Sequence, residues 1–306
     1  MTYPLVTIGI PTYNRADKYL KDAFRSALSQ TYPNLEILVS DNCSSDNTEE
    51  LITQLGDSRV RYHRHDTNIG AANNFNFCVD QAKGDYFLLL HSDDLIDPDF
   101  VDACMRAAEY SDDYGIIRTG ARTIDAKGTI VKEIINHTAG LSIDEFFMAW
   151  FGSKTTFYFC SILFNTHRLR QIGGLWSPQN LFQDVVAAVQ LAAKYGRVDV
   201  EEPKASFRVH EGEITTSVKI KEWCADSLYL IDLMCDLAPE KRALISKEGT
   251  AFLARMNYRF ASRKATFFDK ILAYWVVFKS FGGRYLPPPV AKILNTPKRI
   301  KKKFFT

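Results

Sequence analysis

The sequence predicts an α/β fold, a mostly parallel central sheet flanked by helices, followed by a C-terminal helical, basic extension. Three observations predict it. Short apolar runs rich in β-formers alternate with segments of helical period over the first hundred residues, the pattern of parallel strands joined by right-handed crossovers. Four successive strand-end regions carry polar clusters, as expected where a sheet edge forms a pocket. Strand-type segments then cease near Ser217, and helical periodicity takes over.

The first strand is the run at 5–10, broken by Pro11-Thr12-Tyr13-Asn14. Residues 17–30 place Leu20, Ala23, Phe24, Ala27 and Leu28 at helical spacing. A second strand at 35–40 ends at Asp41, and Ser44-Ser45-Asp46-Asn47-Thr48 supplies cap chemistry for a helix at 48–55. A short strand at 60–64 is followed by Asn68-Ile69-Gly70, which turns the chain into a helix over 71–82. Tyr86-Phe87-Leu88-Leu89-Leu90 forms a buried strand and delivers His91-Ser92-Asp93-Asp94 at its end. Beyond it come a helix at 100–110, strands at 115–120 and 129–132 around Lys127-Gly128, and a helix at 142–150 capped by Ser142. An aromatic strand at 156–164 and a helix at 183–195, stopped by Gly196, follow. Residues 222–237, 239–261 and 266–281 are expected to be helical.

A chain of 306 residues can bury a sizeable core, as one large domain or one domain plus an appendage. The net charge of +2 is unevenly spread: residues 251–306 hold 13 Lys and Arg against Asp269 alone, whereas residues 1–250 hold 25 basic and 35 acidic residues. Six scattered cysteines (43, 78, 104, 160, 224 and 235) form no Cys-x-x-Cys pair and fit a reducing cytoplasm. No signal peptide is expected from the N-terminal residues. The longest late apolar run, 271–278, falls well short of the roughly 20 residues a membrane span needs.

Asp93 and Asp94 stand together at a strand end. Adjacent carboxylates repel each other unless a cation joins them, and a divalent ion carrying a phosphorylated substrate is the natural partner. A solvated acidic turn, extended by Asp97-Pro98-Asp99, is the plain alternative. Tyr13-Asn14, Asp41-Asn42, Asn68 with Gly70, and Asp93-Asp94 together make the pattern of a nucleotide pocket. Asp41 can accept a hydrogen bond from a base N–H, and Tyr13 can offer an aromatic face. No Gly-x-Gly-x-x-Gly or Gly-Lys-Ser/Thr loop is present to cradle phosphates. A metal at Asp93 and Asp94 would supply the missing counter-charge.

The blocks VTIGIPTYN (6–14), ILVSDNCSSDNT (37–48), NIGAANNFN (68–76) and AKGDYFLLLHSDD (82–94), taken in this order and spacing, resemble the successive blocks of family 2 glycosyltransferases with the GT-A fold. The likeness is dense over about the first 100 residues and then thins. It implies a Rossmann-like GT-A domain at 1–217, binding the nucleotide sugar and catalysing transfer, and a helical region with a basic aromatic tail at 218–306. It implies that Pro11, Tyr13 and Asp41 hold a base, usually uracil. Asn14, Arg15, Asn68, Gly70, Asn74 and Ser92, within or beside the matching blocks, are expected to complete the donor site. Asp93 would be the last Asp of the family's Asp-x-Asp element, and it and Asp94 would contact ribose and Mn²⁺ or Mg²⁺. His91 stands where the family usually has the first Asp, either as a ligand to metal or ribose or as a satisfied turn histidine. Gly173-Gly174-Leu175-Trp176 leads into Gln183-Asp184, which implies Asp184 as catalytic base; a helix-dipole acid is the alternative. Arg208 and His210, with Thr215-Thr216-Ser217, resemble the family's closing stretch, where His210 would ligate metal or diphosphate and Arg208 would stabilise departing charge.

The expected activity is inverting, metal-dependent transfer of a sugar from a UDP-sugar to a hydroxyl of a glycan or lipid-linked glycan, in bacterial surface-polysaccharide assembly. A sugar-phosphate nucleotidyltransferase is one alternative, although Arg15 is the one basic residue after the first strand. A catalytically inactive nucleotide-sugar-binding module is another, kept open by His91 and Gln183. Lys and Arg interleaved with Phe, Trp and Tyr over 267–306 suit an anionic membrane surface, so the expected location is cytoplasmic, peripheral at the inner face of the membrane. A solvated tail is the default alternative; nucleic acid is not expected, because no recognition motif accompanies the charge.

Overall fold

The computed structural model describes residues 3–54, 56–210, 218–264 and 266–287. A sheet of nine strands forms its centre: β1 (Val6–Thr12), β2 (Leu35–Asp41), β3 (Val60–Arg64), β4 (Tyr86–Leu89), β5 (Leu95–Ile96), β6 (Ile116–Ile124), β7 (Ile130–Ile134), β8 (Ile162–Asn165) and β9 (Arg197–Arg208). Their order is β3-β2-β1-β4-β8-β6-β9-β5, with β7 beside β6. The strands β3, β2, β1 and β4 are mutually parallel. β8 runs antiparallel to both β4 and β6, and β9 is parallel to β6. The carboxyl ends of β1, β2, β3, β4, β6 and β9 therefore share one edge.

The helices are α1 (Leu20–Leu28), α2 (Thr48–Thr53), α3 (Ala71–Gln81), α4 (Phe100–Ala107), α5 (Ile143–Phe151), α6 (Thr166–Gln171), α7 (Gln183–Tyr195), α8 (Ile220–Leu237), α9 (Arg242–Ser262) and α10 (Phe267–Ser280). Period-2 alternation of the buried strands feeds two cores. Val6, Ile8, Ile10, Ile37, Val39 and Leu88 join one with α1 and α4; Leu38, Phe87 and Leu89 join the other with α3, α5 and the later helices. Fully burying one such side chain contributes about 1.5–3 kcal/mol. Gly9 is obligatory on the second face, because a Cβ there would lie 2.7 Å from the Phe87 ring.

The expected elements largely form, with three differences. The aromatic strand at 156–164 is cut short, because Phe159–Ser161 makes a 3-10 turn and only Ile162–Asn165 pairs in the sheet. Helix α9 begins at Arg242 after a separate 3-10 turn at Pro239–Lys241. The longest strand, β9, is not among the elements expected from the sequence, and neither are β5 and α6. The charges of β9 are absorbed internally: Asp199 binds Arg118 at 3.3 Å and Arg197 at 2.9 Å, with Arg118 and Asp199 essentially sealed from solvent.

Candidate active site

At the shared edge the chain makes a cleft of about 520 Å³. Its walls come from the β1 end (Pro11, Thr12, Tyr13, Arg15), the β2 and β3 exits (Asn42, Asn68), the first turns of α3 (Ala71, Asn74, Phe75) and the β4 exit (His91, Ser92, Asp93). Asn180 and Leu181 before α7, Phe207 and Arg208 on β9, and Val218 close it. Nine of the expected site residues thus lie on one surface: Pro11, Tyr13, Arg15, Asn68, Asn74, His91, Ser92, Asp93 and Arg208. The Tyr13 ring is 45% exposed and free to stack.

Asn14, Asp41, Gly70 and Asn74 hold the strand exits in place. Asn14, at φ +51, clasps two strand exits: its N–H donates to Ser44 Oγ at 2.9 Å and its Oδ1 accepts from Ser45 N at 2.8 Å. Asp41 is 1% exposed. Its carboxylate accepts from Ser44 N at 2.9 Å and from the Tyr62 hydroxyl at 2.6 Å, so here it orders the β2 turn. Burial, aided by that bond, pushes the Tyr62 phenol well above its usual range. Gly70 caps α3, and its N–H donates to Asn68 Oδ1 at 2.9 Å. Asn74 ties α3 to β2, accepting from Ser40 Oγ at 2.6 Å and donating to Ser40 O at 3.0 Å.

Donor atoms of His91, Asp93 and Asp94 lie within 4.8 Å of one another. Asp94 Oδ1 accepts from Arg208 N at 2.9 Å, while Asp94 Oδ2, 3.8 Å from His91 Nδ1 and beside the Cys160 thiol, and His91 Nε2 are buried without a close hydrogen-bond partner among the described residues. Leaving such atoms unmatched is costly, so a missing partner is indicated. Burial raises the Asp94 carboxyl well above the usual range, and the nearby Asp93 charge raises it further. Burial also lowers His91, favouring the neutral imidazole that can act as a ligand. Two carboxylates and an imidazole suit Mn²⁺ or Mg²⁺, the imidazole favouring Mn²⁺. Phe75 and Phe159 fix the His91 ring at 5.0 and 5.3 Å between centroids. His210 reaches this cluster through Asp93, with Nε2 2.9 Å from Oδ2. Arg208 is pinned: Nε donates to Asp93 O at 2.8 Å and the guanidinium lies 4.5 Å over the Tyr19 ring. Thr215, Thr216 and Ser217 lie outside the described residues.

Asp184 sits in the first turn of α7, three residues beyond the cleft-lining Leu181. Its Oδ1 accepts from Val185 N at 2.8 Å, and burial nevertheless pushes the carboxyl up to about 7. The lead-in is built to hold it. Asn76 of α3 accepts from Leu175 N at 2.8 Å and donates to Leu175 O at 2.9 Å, and Gln183 donates to the same carbonyl at 2.8 Å. Gly174, at φ +80, leaves the room this clasp needs, because a Cβ would land on Asn76 Oδ1. Asp226 of α8, fully buried and not among the expected site residues, accepts from Ser177 Oγ, Gln179 N and Leu181 N at 2.7–2.9 Å. A lone acid in an amphipathic helix gives no signal of such a role. Phe75, inside the block at 68–76, lines the cleft, and Tyr158 stacks at 4.4 Å on the cleft residue Phe207; neither is an expected site residue.

A curated "uncharacterized glycosyltransferase" of Rickettsia felis is 38% identical over 134 residues, 43% of this chain and 22% of that protein. The chain spans less than half the length of the curated relatives it matches. Among solved structures, residues 1–349 of S. aureus TarS in complex with UDP-GlcNAc superpose with a TM-score of 0.66 at 16% identity, covering 90% of this chain and 81% of that one. The mannosyltransferase PcManGT from Pyrobaculum calidifontis, in complex with GDP-Man and Mn²⁺, gives a TM-score of 0.56 at 16% identity, over 96% and 79%. These structures share the fold, which is GT-A-like. The model of glycosyl transferase family 2 matches residues 7–169, more than half of the chain, and with the strand-edge cleft and its acidic corner in place this chain belongs to that family.

Proposed function

We propose that this chain transfers a sugar from a UDP-sugar to a hydroxyl of a glycan or lipid-linked glycan, with inversion at the anomeric carbon. The observation that carries the reading is the His91, Asp93 and Asp94 donor set at the end of a nucleotide-sized cleft. Support also comes from the neighbours of the same fold, one in complex with UDP-GlcNAc and one with GDP-Man and Mn²⁺. Tyr13 would stack on the base, Asn42 and Asn68 would meet its edge or the ribose, and Arg15 would face the diphosphate. A divalent ion held by His91, Asp93 and Asp94 would offset charge on the departing diphosphate. Asp184, ionised near neutral pH, would take the acceptor hydroxyl proton as its oxygen bonds to the anomeric carbon. The bond from that carbon to the diphosphate oxygen breaks, and UDP leaves with the electron pair. One base and a single displacement account for inversion. In this reading residues 1–217 do the chemistry and residues 218–306 support it.

Calorimetric titration of UDP with and without Mn²⁺ tests the site. The expected outcome is binding that strengthens at least tenfold with the metal and that Asp93→Ala abolishes. Equal UDP affinity with and without Mn²⁺ would remove the metal from the site.

A further inference from the structure

Helix α10 presents a stripe of large apolar side chains to solvent. Phe268, Ile271, Leu272 and Trp275 recur at one-turn spacing and are 82%, 51%, 63% and 52% exposed, and Phe267 beside them is 73% exposed. The opposite face is fastened: Ala273 and Val277 are buried, and Tyr274 packs edge-on against Tyr258 of α9 at 5.6 Å. Soluble surfaces seldom carry so many adjacent large apolar groups without a partner.

From this we infer that the outward face of α10 docks on an anionic lipid bilayer, lying in the headgroup layer. Charge selects the occupant. In the sequence Arg263, Lys264, Lys270, Lys279 and Arg284 lie along and on either side of the stripe, and Asp269 is the one acid among them. Asp269 is engaged at the helix start, where its carboxylate accepts from Thr266 Oγ1 at 2.7 Å. Lys279 lies within the stripe itself, its Nζ 5.2 Å from the Trp275 ring. Protein interfaces are depleted in lysine, whereas a lysine beside tryptophan suits the headgroup boundary, its stem in the apolar layer and its ammonium among phosphates. Among the described residues no helix is long and apolar enough to cross a membrane, so the contact is interfacial. Docking here would bring a lipid-linked acceptor to the enzyme; in that respect it deepens the proposed function, but the contact itself needs no sugar chemistry.

The full chain is sedimented with vesicles of phosphatidylcholine alone, or with about a third phosphatidylglycerol. It should pellet with the anionic vesicles only. Leu272→Ser with Trp275→Ser should weaken that partition at least tenfold, with Phe268→Ser as an independent second variant. Both should keep the parent's melting temperature and Mn²⁺-dependent UDP affinity. Wild-type protein that stays in the supernatant overturns the inference, and so do variants that pellet like the parent. A wild-type dimer on gel filtration that the double variant splits, with vesicle binding unchanged, assigns the face to a second copy and overturns it as well. A parent that pellets but binds no UDP refutes the proposed function alone.

Discussion

Asp184 joins pKa, stability and chemistry in one side chain. Its ordinary value of 3.8 rises to about 7 because burial penalises the charged form. A proton is therefore held more tightly in the folded chain than in the unfolded one. The stability linked to that proton is present at low pH and is lost as pH climbs from about 4 to about 7. Asp184→Asn, which carries no charge at any pH, should accordingly be more stable than the parent at pH 8, by on the order of 1 kcal/mol once partial solvent access is allowed for, and equal to it near pH 4. Denaturant unfolding at the two pH values checks this. The same variant should lose at least a thousandfold in transfer rate while binding UDP like the parent, and the parent's rate should rise with pH through about 7 and level off above it. A flat profile there, or an active Asp184→Asn, would take Asp184 out of the proton transfer. At Asp94 the argument is geometric. Asp94→Asn keeps the acceptor for Arg208 N but replaces a buried, unmatched oxygen with a donor, so Mn²⁺-dependent UDP affinity should fall at least tenfold, as calorimetry would show.

The strand-to-helix connections differ in how plainly they could be read. β1, β2 and β4 bury both faces, so their apolar runs end where polar groups begin, and the cleft residues Tyr13, Asn42 and Asp93 follow from that break. β9 hid because Arg197, Asp199 and Pro203 break any alternation, and only tertiary pairing of Asp199 with Arg118 makes the charges tolerable inside. The loop before α7 was legible as a Gly-Gly motif, but not its cause, since its partners Asn76 and Asp226 lie about 100 residues before it and 45 or more after it. Two substitutions test this clasp. Gly174→Ala forces a Cβ onto Asn76 and a side chain at φ +80, and should cost about 2–3 kcal/mol in denaturant unfolding. Asp226→Asn sets an amide N–H₂ against one of the donors Ser177 Oγ, Gln179 N and Leu181 N. It should lower transfer at least tenfold through displacement of the Asn180–Asp184 segment. UDP binding, resting mainly on the other strand ends, should change less than about threefold. Equal losses in both measurements would make Asp226 a general support rather than a positioning residue.

The whole molecule raises the question of whether residues 1–217 stand alone. Strand content falls away near that point in the sequence, and the basic excess begins later, at 251–306, which favours two units. Packing argues that they fold as one. Trp223 of α8 meets Phe182 at 5.4 Å, just ahead of Asp184, and Phe252 of α9 meets Trp150 and Phe151 of α5 at 4.9 and 5.6 Å. Gly249 is close enough to Phe151 that a Cβ would sit 2.9 Å from its ring. One core therefore holds Phe87 and Leu89 of the sheet together with Trp223, Leu253 and Val277. Removing residues 218–306 would bare the outer faces of α5 and α7 and leave Ser177, Gln179 and Leu181 without the carboxylate that anchors them. Each of several large side chains so exposed forfeits about 1.5–3 kcal/mol, against a net stability of only about 5–15 kcal/mol for an ordinary domain. A chain ending at 217 should therefore be recovered aggregated or without a cooperative melt, whereas one ending at 287 should melt cooperatively and bind UDP with Mn²⁺ like the parent. Calorimetry on the two truncations decides it: a cooperative melt from the shorter chain would make the helices after 217 an appendage, and the hold of Asp226 on the loop at 177–181 would then not be needed for folding.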